Sequence, residues 1–178
     1  MLFTDLREAK TLLEIDPDDR SEDALVNLLI EQASQWIEEF LNRPDLERKE
    51  RTEYYFGTGT QRLILRSRPV FTTPTILVRV DEAGNFGSTS GSFDAEDALT
   101  YGDDFALVLD QADGSSRSGI LYRINNVWPQ PSARMRGLLS PFVATGFGTI
   151  RVTYTGGYTV DSLPASIRLA CNLLIQKL

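Results

Sequence analysis

The stretch that most constrains the fold is Thr149–Leu178. Ile150, Val152 and Tyr154 alternate with Arg151 and Thr153, the two-residue period of a strand with one buried face. Gly156 and Gly157 turn the chain. A helix then opens at Pro164, where a first turn tolerates a missing N–H, with Asp161 and Ser162 as cap candidates. Ile167, Ala170, Cys171 and Leu174 form its core-facing side, Leu178 continues the spacing, and no Gly or Pro stops the helix before the last residue. A domain that ends on an uncapped, apolar-faced helix is expected to dock that helix on something.

Upstream, the period changes from helical to two. Thr4 and Asp5 open a short helix to about Leu13, with Leu6, Ala9, Leu12 and Leu13 as its apolar face. Asp16-Pro17-Asp18-Asp19 breaks it. Measured against a calcium loop, this turn has Ser21 at the glycine position and Asn27 at the terminal glutamate position, so it reads as a capped turn. Ser21-Glu22-Asp23 caps a long helix, about Glu22 to Asn42. Its stripe of Ala24, Leu25, Leu28, Leu29, Ala33, Trp36, Ile37, Phe40 and Leu41 predicts a face packed on a core. Glu38 and Glu39 are sequence neighbours that point apart, which predicts a solvated face rather than a facing carboxylate pair.

From Arg51, Thr52, Tyr54 and Phe56 alternate with Glu53 and Tyr55. Gly57-Thr58-Gly59-Thr60 follows, and Leu63 and Leu65 then alternate with Arg62, Ile64 and Arg66, the pattern of a hairpin. No Gly-Lys-Ser/Thr follows the glycines, so they are not a phosphate cradle. Ile76, Val78 and Val80 mark the next strand, and Asp81–Phe93 reads as an extended loop. Phe105–Leu109 and Gly119–Ile124 are expected to pair with each other.

Residues 130–148 combine prolines and glycines with Leu138, Leu139, Phe142, Val143 and Phe147, behind Arg134 and Arg136. A long structureless loop in a compact domain is often functional, and an apolar patch on it asks to be covered. Three readings stand open: an arm gripping a neighbouring subunit, a basic loop near phosphate, or a loop tucked back on its own core.

Composition narrows the chemistry. The chain has no histidine, which removes the usual general base and commonest metal ligand, together with Ser–His and Cys–His nucleophile pairs. No spacing demands two facing carboxylates either, so no enzyme, catalytic residue, metal or cofactor is expected. The one cysteine, Cys171, cannot pair within the chain and is expected to be a small buried hydrophobe. No apolar run nears the ~20 residues that span a bilayer. The start lacks a signal-peptide pattern, so the cytoplasm, or a particle assembled there, is the expected place. The net charge of −7 is banded: residues 1–50 carry −8, 51–80 carry +4, 81–114 hold nine acids and no Lys or Arg, and 115–178 carry +6. Such banding suits copies that stack opposite-sign faces, and equally two solvated faces of differing sign.

Taken in order, the chain resembles the head–tail connector (adaptor, or head-completion) proteins of long-tailed bacteriophages. The likeness begins at Leu6-Arg7-Glu8-Ala9-Lys10 and Leu13-Glu14-Ile15-Asp16, and runs through Asp23-Ala24-Leu25, Leu28-Leu29-Ile30 and Trp36-Ile37-Glu38. It continues in Tyr55-Phe56-Gly57-Thr58-Gly59, Leu63-Ile64-Leu65, Arg68-Pro69-Val70 and, more loosely, Leu99–Phe105, Gly119–Arg123 and Trp128-Pro129. It closes on Ile150–Tyr158, Leu163-Pro164 and the last helix.

The resemblance implies an α+β fold: a small helical bundle of two N-terminal helices and a C-terminal helix, with an antiparallel sheet spliced between. One connector domain would then span 1–178, as helices in 1–48, sheet and loops in 49–160, and helix in 161–178. It also implies a structural virion protein of the neck, assembled in the host cytoplasm. Copies would form a dodecameric ring on the portal protein, extend the DNA channel without sequence-specific binding, and receive the next neck, stopper or tail protein. The expected subunit or portal interface is Arg134, Arg136, Leu138, Leu139, Phe142, Val143, Arg168, Lys177 and Leu178. Segments 81–104 and 130–148 are longer than this family usually needs. The competing expectation is a non-enzymatic, β-rich module that binds a peptide or glycan.

Overall fold

The computed structural model describes residues 1–43, 45–81, 93–130 and 148–178. The expectations placed on the rest of 81–104 and 130–148, among them Arg134, Arg136, Leu138, Leu139, Phe142 and Val143, lie outside those residues. The chain forms two compact units, residues 1–48 with 157–178 and residues 49–156. The expected α+β class holds, with helices in the first unit and antiparallel sheets in the second.

In the helical unit, α1 is Leu6–Leu12, and Asp5 caps it by accepting the Glu8 N–H at 2.7 Å. Helix α2 is Asp23–Phe40 and α3 is Ala165–Ile175. The expected side-chain caps are absent from both: Glu22 and Pro164 hold the N-cap positions without one. Ser162 instead closes a turn with Thr159, accepting its N–H at 2.8 Å. The core holds Phe3, Val26, Ile30, Ala33, Ile37, Leu46, Leu163, Cys171 and Ile175. Burying each large apolar side chain here contributes about 1.5–3 kcal/mol. Cys171 is fully buried, as its place on the helix predicts, and burial raises its thiol pKa.

The Asp16–Asp23 turn is a capped turn, with Asp16 accepting the Asp18 N–H and Asp19 the Ser21 N–H, each at 2.9 Å. A lysine completes it. Lys10, 2% exposed, reaches from α1 to donate to the Asp19 carbonyl at 2.6 Å and to pair with the Asp23 carboxylate. Its ammonium thus ties the turn ahead of α2 to α1 through the Asp19 carbonyl and the Asp23 carboxylate. Glu38 is likewise only partly solvated: it accepts the Leu46 N–H at 3.3 Å, while Glu39 faces water and takes a bond from Gln35.

The sheet unit has nine strands among the described residues: β1 Lys49–Tyr55, β2 Arg62–Ile64, β3 Val70–Phe71, β4 Leu77–Val80, β5 Ala98–Leu99, β6 Phe105–Leu107, β7 Ser115–Ser116, β8 Ile120–Arg123 and β9 Ile150–Gly156. One sheet runs β5-β4-β9-β3-β7, with β1 on the other side of β9; a second runs β2-β8-β6. The expected pairing of 105–109 with 119–124 is present as β6–β8. The expected hairpin of 52–56 with 62–66 is not: β1 pairs with β9 and β2 with β8. The Gly57–Thr60 segment packs against Trp128 instead of folding β1 onto β2. The Gly59 N–H donates to the Trp128 carbonyl at 3.0 Å and the Trp128 N–H to the Thr60 carbonyl at 2.9 Å. A Cβ at Gly57 would run into the backbone of Trp128 and Pro129, so only glycine admits this approach. The core between these strands includes Tyr55, Leu65, Val78, Phe105, Leu121, Trp128, Ile150, Val152 and Tyr154.

Candidate functional site

Helix α2 carries more apolar surface than its own unit covers. At 18 residues it is about 27 Å long, whereas α1 and α3 have 7 and 11 residues and span about 10 and 16 Å. Two short helices cover one side of it, and the apolar stripe divides accordingly. Val26, Ile30, Ala33 and Ile37 face the core, and Leu25, Leu28, Trp36 and Phe40 are exposed. This corrects the expected core face: Trp36 is 52% exposed and Phe40 89%, while Val26 and Ile30, absent from the expected stripe, are buried. On α3 the core takes Cys171 and Ile175, Ile167 and Leu174 are half-buried, and Ala170 lies exposed beside Leu173 and Leu169.

Where the exposed flanks of α2 and α3 meet, they form an open groove of about 800 Å³. Trp36, Ile37, Phe40, Ala170, Leu173 and Leu174 line it, with Glu39 and Lys177 as its charged lining residues. So little polar chemistry cannot orient a reacting substrate. An apolar trough flanked by two helices has the form that receives an amphipathic segment of another chain.

Of the interface residues expected from the sequence, Lys177 lines this groove and Leu178 is exposed next to it in sequence. Arg168 is engaged locally, donating to the Val160 carbonyl at 2.8 Å ahead of α3. The groove residues Trp36, Phe40 and Leu173 were not among the expected ones. The signal for them was the width of the stripe: an apolar arc reaching from Leu25 past Ile37 exceeds what one packed side of a helix needs.

The sheet unit contains a half-buried polar cluster around Glu53. The Tyr154 hydroxyl donates to its carboxylate at 2.6 Å, the Ser67 hydroxyl at 2.8 Å, and Tyr55 donates to the same oxygen as Tyr154. Each tyrosine oxygen accepts in turn, from the Arg66 N–H and the Ser67 N–H, both at 2.9 Å. Burial pushes both phenols well above their usual range, aided at Tyr55 by Tyr154 and then Glu53, and at Tyr154 by Glu53. Every member has its partner, so the cluster fastens the 66–67 turn to β1 and β9.

No curated protein matches the chain. Residues 3–63 match the family described as phage gp6-like head-tail connector protein. Over that segment the chain is similar to head–tail connectors. The matched segment contains α1, α2 and the strand β1, and with them Trp36 and Phe40. A solved structure described as the neck of an empty GTA particle computed with C6 symmetry is similar over 99% of this chain and 81% of that one. Its TM-score is 0.52 at 19% identity, a likeness of fold. The resemblance read from the sequence is thus borne out by the family match over residues 3–63 and by likeness of fold along the chain.

Proposed function

We propose that this protein is a structural connector of the neck of a phage-like particle. The observation that carries the reading is the exposed apolar face of α2, with Trp36 and Phe40, on the segment that matches head–tail connectors. A soluble chain pays for such a patch in solubility unless another surface covers it. The neck likeness, in a particle treated with six-fold symmetry, supports copies arranged around an axis.

In this proposal the two units act as one connector domain within the virion. Copies associate head-to-tail into a closed dodecameric ring, since an isologous contact would stop at a dimer. The ring sits on the portal protein, extends its channel and receives the next neck or tail protein. The groove takes an apolar segment of a neighbouring copy, and the interface includes Arg168, Lys177, Leu178 and an arm bearing Arg134, Arg136, Leu138, Leu139, Phe142 and Val143. The acidic N-terminal helices, or the 94–104 segment, line the channel or an outer rim. Carboxylates facing the channel repel the DNA backbone and let it slide, whereas a basic lining would hold it. The role needs no chemistry of its own.

The test is the size of the purified protein with and without its portal. A ring on the portal vertex is expected. A discrete monomer that never joins portal rings at any concentration would overturn the reading in favour of a binding module. Charge reversal at both Arg134 and Arg136 is expected to lower particle yield while the monomer folds normally, and normal yield would count against the arm.

A further inference from the structure

The outer face of the larger sheet places two arginines side by side. Arg79 on β4 and Arg151 on β9 are direct cross-strand partners, and Tyr54 on β1 is Arg151's partner on the other side. One step along, Thr52, Thr153 and Leu77 form the adjacent row in the same register. These six side chains line a hollow of about 160 Å³, several times the ~30 Å³ share of one water.

Like charges directly opposite on neighbouring strands destabilise a sheet. Here nothing acidic offsets them: among the described residues neither arginine has a carboxylate within ion-pair distance. What holds them is one neutral group. The Phe93 carbonyl accepts from Arg79 Nη1 at 2.7 Å and from Arg151 Nη2 at 3.0 Å. Phe93 adopts φ of 61°, a conformation unusual for a bulky residue, and its ring lies 5.0 Å from the Arg151 guanidinium and edge-on to Tyr54. Each guanidinium has five N–H donors, and among the described residues each donates one side-chain hydrogen bond.

We propose that this hollow binds a phosphate-class oxyanion. The donor set favours phosphate over a carboxylate. A carboxylate has two oxygens and is satisfied by a single arginine fork, whereas two forks beside the hydroxyls of Thr52, Thr153 and Tyr54 suit a group with three or four oxygens. The Thr52 and Thr153 hydroxyls bond each other at 2.9 Å, so one of the two still has a proton's direction to offer. Tyr54 has no side-chain hydrogen bond among the described residues. The phosphate can be inorganic or part of a DNA backbone; the chemistry of recognition is shared. The proposal does not depend on the connector reading.

The experiment is a titration of the full chain with inorganic phosphate, with acetate at equal ionic strength, and with a short DNA duplex. It is followed by thermal melting and by NMR of the arginine side chains. Phosphate is expected to raise the melting temperature and shift the Arg79 and Arg151 resonances, with acetate giving little. Arg79→Gln and Arg151→Gln keep an N–H for the Phe93 carbonyl and remove the charge. Each is expected to weaken phosphate binding about tenfold, and the double variant to abolish the response. Without phosphate the double variant should melt no lower than the parent chain, because cross-strand repulsion is gone. Duplex binding that falls with the same variants assigns the phosphate to DNA; a response to inorganic phosphate alone assigns it to the free ion. The proposal is overturned if the parent chain ignores phosphate, if acetate acts equally, or if the variants respond as the parent does. It is also overturned if they lose stability to the same extent with and without phosphate, the mark of a purely structural pair.

Discussion

Truncating Phe40 separates assembly from folding. At 89% exposure its ring contributes almost nothing to the folded monomer, and nearly all of its burial energy is still available to an interface. Fully burying a phenylalanine is worth about 1.5–3 kcal/mol, so about nine-tenths of that, ~1.3–2.7 kcal/mol, is at stake in each subunit contact. At 1.4 kcal/mol per decade, Phe40→Ala should weaken association by about 10- to 90-fold. Trp36, about half exposed, would add roughly another decade when truncated in the same chain. The assay is sedimentation velocity over a concentration series, alone and with portal, beside urea unfolding of the dilute monomer. The expected result is a shifted assembly midpoint with monomer stability unchanged to within about 0.5 kcal/mol. An assembly midpoint that moves less than about threefold refutes the groove as an interface. So does a loss of monomer stability as large as a core truncation, ~2–5 kcal/mol, because the ring would then be packed within the unit.

Three further outcomes are expected from the two units. Lys10→Met keeps the buried stem but leaves the Asp23 carboxylate and the Asp19 carbonyl without their ammonium; about 3 kcal/mol of stability should be lost in urea unfolding. Tyr154→Phe strands the Ser67 N–H and removes a donor from Glu53, costing about 1–3 kcal/mol. Both tyrosines have raised native pKa values, so the stability they contribute is complete below pH ~10 and falls as pH rises above it. The alkaline slope of stability should therefore be shallower in Tyr154→Phe, as read from unfolding at stepped pH. Asp110 has its pKa lowered to about 2 by the Ser118 side chain and then by the Arg117 and Ser118 backbone N–H groups. Its contribution is present above the ordinary aspartate pKa of ~3.9 and is lost as pH falls toward 2, and Asp110→Asn should flatten acid unfolding in that window.

Periodicity made the elements legible, and pairing was where it stopped. The alternation in Thr52–Phe56 and in Leu63–Leu65 marks strands correctly, but a period of two names no partner. The true partner of Thr52 is Thr153, 101 positions away, and the adjacent glycines serve an approach to Trp128 that no local pattern announces. Likewise, the α2 stripe identified an apolar helix without dividing core from surface, because that division is made by the lengths of α1 and α3. Lys10 passed unremarked because a lysine in a short helix is ordinarily solvated; only the fold brings the Asp19 carbonyl and Asp23 to it. Arg79 and Arg151 were each visible on the polar phase of a strand, and their juxtaposition appears only with the β4–β9 register. The proline-opened terminal helix was legible in its place and in the burial of Cys171, but not in its cap, in the exposure of Ala170 or in its end at Ile175.

The position of β9 imposes an order in time. Strands β1, β3 and β4 all take β9 as a partner, so none of them can complete its ladder until residues 150–156 have been synthesised. At ~5–20 residues per second, the stretch that separates β1 from β9 occupies a ribosome for on the order of 5–20 s. Non-local pairing of this kind is slow once the partner arrives, because a long loop must close before any contact rewards it. Once synthesised, Val78 and Val80, which the folded sheet buries, wait for β9 through the rest of that interval. Helix α2 needs no such wait, since its own hydrogen bonds are local. The groove beside it does wait, because its other wall is α3, residues 165–175, which leaves the ribosome after β9.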